Sequence, residues 1–197
     1  MKNNEGHLAG ATPLDLDEME GLKLKHITTR EELNQWEQDN INEALQWLEV
    51  HRQGDILTEK FIKTLHQKMF GKVWRWAGLY RCTEKNIGVD WYQIPTHLHV
   101  LLGDVRYWIK ENTYPAGEIA VRFHHKLVWI HLFPNGNGRH ARLMADVLLK
   151  EALGQKPFSW AMSDIDDENE VRDFYMNALR KADKGDYSML LDFVRSK

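Results

Sequence analysis

The chain has a single cysteine, Cys82, in 197 residues. One thiol cannot form an intramolecular disulfide, so the fold relies on its core, and a reducing compartment is expected. Nor is there an apolar run of transmembrane length. The first twenty residues lack the apolar stretch of a signal peptide, which makes the cytoplasm the expected location and leaves no membrane partner. Charge of one sign is also scarce: the formal net charge is -3. A basic footprint for direct nucleic-acid binding is therefore missing. Repeats and low-complexity tracts are absent as well. No H-E-x-x-H string occurs, and no cysteine pair suggests a structural zinc.

What remains is the composition of a globular domain, with 43% hydrophobic and 28% charged residues. That length suits one domain with a substantial core. The eight tryptophans belong to the core or to grooves. Apolar positions recur mostly at helical spacing. Helices are expected from the Thr28/Thr29 caps to near Arg52, over Glu59 to Phe70, and from Pro95 to Asn112. Others should run through Glu118 to Ile130, Arg139 to Lys150, Asp167 to Lys184 and Tyr187 to Arg195. The fold class is all-α. Alternation around Gly88 between Thr83 and Ile94 predicts one small β-hairpin.

Near the N-terminus, Thr12 to Gly21 has helix signals. Thr12 suits the cap, Pro13 the first helical position and Gly21 the stop. Residues 1–27 are expected to form a segment separate from a domain over 28–197.

The chemistry concentrates in His131-Leu132-Phe133-Pro134-Asn135-Gly136-Asn137-Gly138-Arg139-His140-Ala141-Arg142. A helix ends in an imidazole, a glycine-bearing loop follows, and a second helix begins with two arginines three residues apart. Unpaired amides and the positive dipole end make such a helix start an anion site. Arg139 and Arg142 share one helix face. They are poor company for the dipole unless an anion sits between them and the amides. The pattern points to a polyphosphate, with His131 at its rim as a general base for a hydroxyl.

This stretch resembles the Fic/Doc signature H-[P]-F-x-[D/E]-G-N-G-R-x-x-R at His131, Phe133, Gly136, Asn137, Gly138, Arg139 and Arg142. It departs at Leu132 and at Asn135. The resemblance implies a Fic-like helical bundle with a flap beside the active site, and transfer of AMP from ATP to a Ser, Thr or Tyr hydroxyl of a target protein. It further implies that His131 acts as base and that Phe133 anchors the loop. Gly136, Asn137 and Gly138 would cradle phosphates, with Arg139 on the β- and Arg142 on the γ-phosphate. Asn135 stands where the family usually places an acid for Mg2+. It would offer one carbonyl oxygen and no charge, leaving Mg2+ to phosphate and water oxygens. Residues 83–94 would be the flap that aligns the target by β-strand addition. Glu20-Gly21 resembles the end of the family's inhibitory helix, whose glutamate pairs with the second signature arginine; Leu16 stands at its usual Ser/Thr position. The phosphotransferase branch carries a Lys that this chain lacks. A degenerate or toxin-like binding module remains the alternative, with an antitoxin. So does the mobile mystery protein B subgroup, found beside a small DNA-binding partner.

Overall fold

The computed structural model describes residues 19–51, 54–160 and 170–195. Most of the Thr12–Gly21 helix expected from sequence therefore lies outside the described residues. The architecture is all-α, as the periodicity predicts. The helices are α1 (Arg30–Val50), α2 (Glu59–Phe70), α3 (Ile94–Lys110), α4 (Ala116–Ile130), α5 (Asn137–Glu151), α6 (Glu170–Ala182) and α7 (Ser188–Arg195).

Local chemistry sets their starts. Thr29 Oγ1 accepts the Glu32 amide at 3.2 Å, and Glu32 Oε2 accepts the Thr29 amide at 3.3 Å, a reciprocal cap for α1. Thr58 caps α2 by accepting the Phe61 amide at 3.1 Å. Pro95 occupies the first turn of α3, where its missing N–H costs nothing.

Helix α4 is the centre of the molecule. Phe123, Leu127 and Ile130 enter the larger apolar cluster with Ile62, Leu65, Phe133 and Leu148. Val121, on another face, joins the smaller cluster with Tyr175, Leu190 and Phe193 from α6 and α7. A helix buried on several sides can be apolar around most of its circumference, as Ala120 to Ile130 largely is. Its polar exceptions are paired. His125 meets Asp183 at 2.8 Å and Tyr187 at 3.2 Å, and His124 meets Tyr175 at 2.9 Å. These bonds fasten the C-terminal helices to α4.

The expected hairpin over 83–94 is not formed. Among the described residues there is no strand, only an isolated antiparallel bridge between Leu22 and Trp74. Residues 83–90 run as bends, Trp91–Gln93 is a 3-10 turn, and Ile94 already begins α3. The alternation of Ile87, Val89 and Trp91 misled because the Val89 amide donates to the end of α4, while Thr83 O and Val89 O accept from the Arg81 side chain.

The bridge at Leu22 anchors the N-terminal segment. The Lys23 amide donates to Val73 O at 2.8 Å, and the Arg75 amide to Gly21 O at 2.9 Å. Glu20 is exposed in the turn just before this anchor. No helix among the described residues is long and apolar enough to cross a membrane.

Candidate active site

His131 ends α4. Its backbone lies in the left-handed region, with φ 57, and its amide still donates to Leu127 O at 3.2 Å. A non-glycine residue in that region is uncommon and is held there by its surroundings. The imidazole is 4% exposed, and its pKa is pushed down to about 4. Burial is the main cause; the Arg81 and Lys85 charges add to it, and the Val128 carbonyl opposes it. At neutral pH the ring is uncharged and can accept a proton.

The loop from Leu132 to Gly136 is rigid for identifiable reasons. Phe133 is fully buried and stacks on His66 at 3.7 Å between ring centroids. The Asn137 side chain uses both its arms on one residue: Oδ1 accepts the Phe133 amide at 2.9 Å, and Nδ2 donates to Phe133 O at 2.7 Å. Asn137 is therefore a brace, and what it can lend an anion is its backbone amide. His66 supplies the opposite brace. Its Nδ1 accepts the Gly78 amide at 3.0 Å, so Nε2 carries the proton given to Asn135 O at 3.1 Å. Burial drives the His66 pKa well below its usual value, which keeps that tautomer neutral.

Gly136 has φ 76, and a Cβ there would lie 2.6 Å from a Phe70 ring carbon. Only glycine fits. The amides of Asn137, Gly138 and Arg139 precede the first intrahelical bond of α5, from His140 N to Gly136 O at 2.9 Å. They form the anion-facing end of that helix. Arg142 folds back over this turn: a Cβ on Gly138 would sit 3.8 Å from its Nη1. The other arginine behaves differently. Arg139 Nη2 pairs with Glu37 Oε2 of α1 at 2.8 Å, and its guanidinium lies 4.9 Å from the Phe70 ring centre. Glu37 also accepts the Trp74 indole N–H at 2.5 Å.

Two further features lie next to Arg142. Asp146, one turn along α5, accepts the Trp160 indole at 2.9 Å and the Phe158 amide at 3.0 Å. Burial raises its pKa to about 6, against the pull of these donors and of Arg142. His140 is buried and turned away from the anion end, with Nε2 at 3.0 Å from Ile62 O.

For a metal, the residues present do not build a resident site. Among the described residues no cluster of three His, Cys, Asp or Glu side chains is arranged to hold an ion. Asn135, the sequence candidate, has its Oδ1 on the Gly136 amide at 2.5 Å.

The braced loop joins His131 at the end of α4 to the amides at the start of α5, and Arg142 follows in the next turn of α5. It places Glu20 in an exposed turn whose neighbour Gly21 bonds to Arg75. Glu37, His66, Arg81 and Asp146 were not singled out as site residues from sequence. Glu37 sits in a strongly polar helix, and His66 beside an apolar stripe. Neither pattern distinguishes a brace from an ordinary surface or core residue.

Residues 56–149 match the family model described as the Fic/DOC family. Over those residues the chain is similar to the Fic/DOC family. A relative called protein adenylyltransferase Fic from Nematostella vectensis is 29% identical over 161 residues, covering 78% of this chain and 36% of the relative. The chain spans about a third of the length of the curated relatives it matches. Among solved structures, the N-terminal Fic domain of Bep8 from Bartonella sp. 1-1C has a TM-score of 0.69 at 16% identity, covering 88% of each chain. A Bartonella quintana Fic domain with bound ADP has a TM-score of 0.67 at 18% identity, covering 85% of each chain. Both likenesses concern the fold.

Proposed function

We propose that this protein transfers AMP from ATP to a Ser, Thr or Tyr hydroxyl of a target protein. The observation that carries the reading is the pairing of a neutral, buried His131 with a braced anion loop whose first turn lies under Arg142. His131 takes the proton of the attacking hydroxyl. The hydroxyl oxygen bonds to the α-phosphorus, the bond from that phosphorus to the bridging oxygen breaks, and pyrophosphate leaves. The amides of Asn137, Gly138 and Arg139, with Arg142, stabilise charge on the phosphates as the bond breaks. The adenylyltransferase names of relatives support the nucleotide donor, and so does ADP in a neighbour of the same fold.

Asn135, on releasing the Gly136 amide, would offer one neutral oxygen to a Mg2+ ion accompanying the nucleotide; phosphate and water oxygens would hold the rest of its shell, and the ion would offset charge on the phosphates. The target segment docks along residues 83–94, an irregular loop with Ile87, Trp91 and Tyr92 exposed at its surface. Glu20 is the inhibitory residue of this reading, and the residues that follow it are tied to 73–75 by the bonds of residues 21–23.

The experiment is label transfer from α-phosphate-labelled ATP to proteins of a lysate, with the parent and with His131→Ala. A labelled band that needs His131 is expected. Label appearing only from γ-labelled ATP would make the chain a phosphotransferase. ATP binding without transfer, in both the parent and Glu20→Gly, would make it a binding module.

A further inference from the structure

Helix α4 ends with acceptors that have no partners within the helix. Their partners come from a short stretch of chain 41 to 51 positions earlier in the sequence. Val89 N donates to Ile130 O at 3.4 Å, Arg81 Nε to His131 O at 2.7 Å and Arg81 N to Leu132 O at 3.0 Å. The remaining arms of the Arg81 guanidinium donate to Thr83 O at 3.0 Å and to Val89 O. Arg81 is 2% exposed. A buried cation is costly unless it is well hydrogen-bonded, and these carbonyls each accept one of its N–H groups.

We infer that Arg81 is the positioning residue of His131: its buried guanidinium fork joins the His131 carbonyl to the 83–89 loop and fixes the imidazole for catalysis. This rests on the reading of His131 as the general base.

Three further observations support it. The left-handed backbone of His131 needs an external constraint, and the carbonyls at 130, 131 and 132 are each held from the 81–89 segment. Gly88 presses on the same residue. Its φ is 102, and a Cβ there would lie 2.6 Å from His131 Cβ and 2.9 Å from Arg81 Nη2. The shape of the contact also suits arginine specifically. Its planar fork reaches His131 O with Nε and Val89 O with Nη2, whereas a lysine ammonium has one nitrogen from which to reach both. A cation at a helix C-terminus is favoured by the dipole as well. The 83–90 segment therefore needs no ladder of its own, because Arg81 satisfies carbonyls that a hairpin would have paired internally.

Arg81 does not belong to the phosphate cradle, which is braced separately by Asn137 and His66. Loss of the fork should therefore reduce turnover and spare nucleotide binding. The test compares the full chain with Arg81→Lys, Arg81→Met and Gly88→Ala. Turnover and ATP KM are read across pH, ATP affinity by calorimetry, and the His131 ring titration by NMR. Misplacing the base by about 1 Å costs on the order of 100-fold. A fall in kcat of that order is expected in all three variants, with ATP affinity within about threefold of the parent on the same grounds. Arg81→Met should also raise the His131 titration toward the ordinary histidine range, because a neighbouring positive charge is gone. Arg81→Lys should not rescue turnover.

Parent-like kcat in folded Arg81→Lys and Arg81→Met overturns the inference, and so does an equal loss of ATP affinity and turnover. If the Arg81 variants do not fold, Gly88→Ala decides, since its methyl group would press on both His131 Cβ and Arg81 Nη2 while Arg81 itself is retained; parent-like turnover there overturns it. Parent-like transfer by His131→Ala would instead defeat the general-base reading. The NMR titration of His131 would still report whether Arg81 governs that ring.

Discussion

Glu37 Oε2 receives Arg139 Nη2 at 2.8 Å, and its other oxygen receives the Trp74 indole at 2.5 Å. The first signature arginine is thus tied to α1, while Arg142 lies over the anion end of α5. Glu37 is almost fully buried, and the Arg139 side chain is 22% exposed. Glu37→Gln leaves a mostly buried guanidinium without its counter-charge. Allowing for the partial exposure of Arg139, a stability loss of about 1–3 kcal/mol is expected. Thermal melts of the two proteins check this, and equal midpoints would show that the pair contributes nothing.

The same division of labour ranks the arginines as phosphate ligands. Arg139 is drawn toward Glu37 on α1, whereas Arg142 lies over the first turn of α5, so Arg142→Ala should weaken ATP binding more than Arg139→Ala does. Calorimetric titration with ATP compares them directly. Equal losses, or the reverse order, would mean that Arg139 leaves Glu37 for the nucleotide.

Gly136 and Gly138 should respond differently to one added methyl group. At Gly136 the backbone is left-handed and the methyl would collide with Phe70, whereas at Gly138 the nearest contact is Arg142 Nη1 at 3.8 Å. Gly136→Ala is expected to cost about 1–3 kcal/mol from backbone strain and to lose ATP affinity. Gly138→Ala should bind within about tenfold of the parent, a difference of about 1.4 kcal/mol. Melts and calorimetry on both variants test the contrast, and indistinguishable variants would refute it.

The pH dependence of transfer follows from His131. Its folded pKa lies near 4, below the ordinary 6.5, and the neutral ring is the base. The acid limb of kcat/KM should accordingly fall near pH 4, leaving the rate flat from about pH 5.5 to neutrality. A limb centred at 6.5 would mean that the ring is solvated when it acts.

Acid stability has a sign of its own. The pKa values of His124, His131 and His140 are depressed to about 3, 4 and 4, and those of His66 and His125 are also lowered, chiefly by burial. Groups with depressed values stabilise the fold fully above pH 6.5 and lose that contribution as the pH falls through their folded values. Each costs about 1.4 kcal/mol per pH unit inside the window. Asp146 works the other way. Raised to about 6, it contributes below 3.8 and loses that contribution as pH rises through 6. The histidines outnumber it, so stability should drop steeply from pH 6.5 to 4. Denaturant melts at half-unit pH steps measure the slope, and a flat profile would contradict the buried neutral rings.

Glu20→Gly tests the inhibitory role of the N-terminal segment. Increased transfer is expected if the Glu20 carboxylate competes with phosphate for Arg142. An unchanged rate over a range of ATP concentrations would make the segment a structural cap.

The sequence by itself determined the all-α class and the order of the helices, and it singled out His131 to Arg142 as the candidate site. Those features are local: capping threonines, helical periodicity, and a loop whose glycines and arginines must follow one another along the chain. Helix ends agreed closely where a cap or proline marked them, as at Thr29, Thr58 and Pro95. Tertiary structure decided what the sequence could not encode over a short window. It replaced the expected hairpin by a loop, because its carbonyls are satisfied by Arg81 and its amide at Val89 by the end of α4. It turned Asn137 inward and made His66 and Glu37 braces. Each of these outcomes depends on partners 2 to 102 residues away, some supplied by helices whose contact is set only when the apolar clusters close. Burial then fixed the charge of His131, because desolvation exists only once that core has formed.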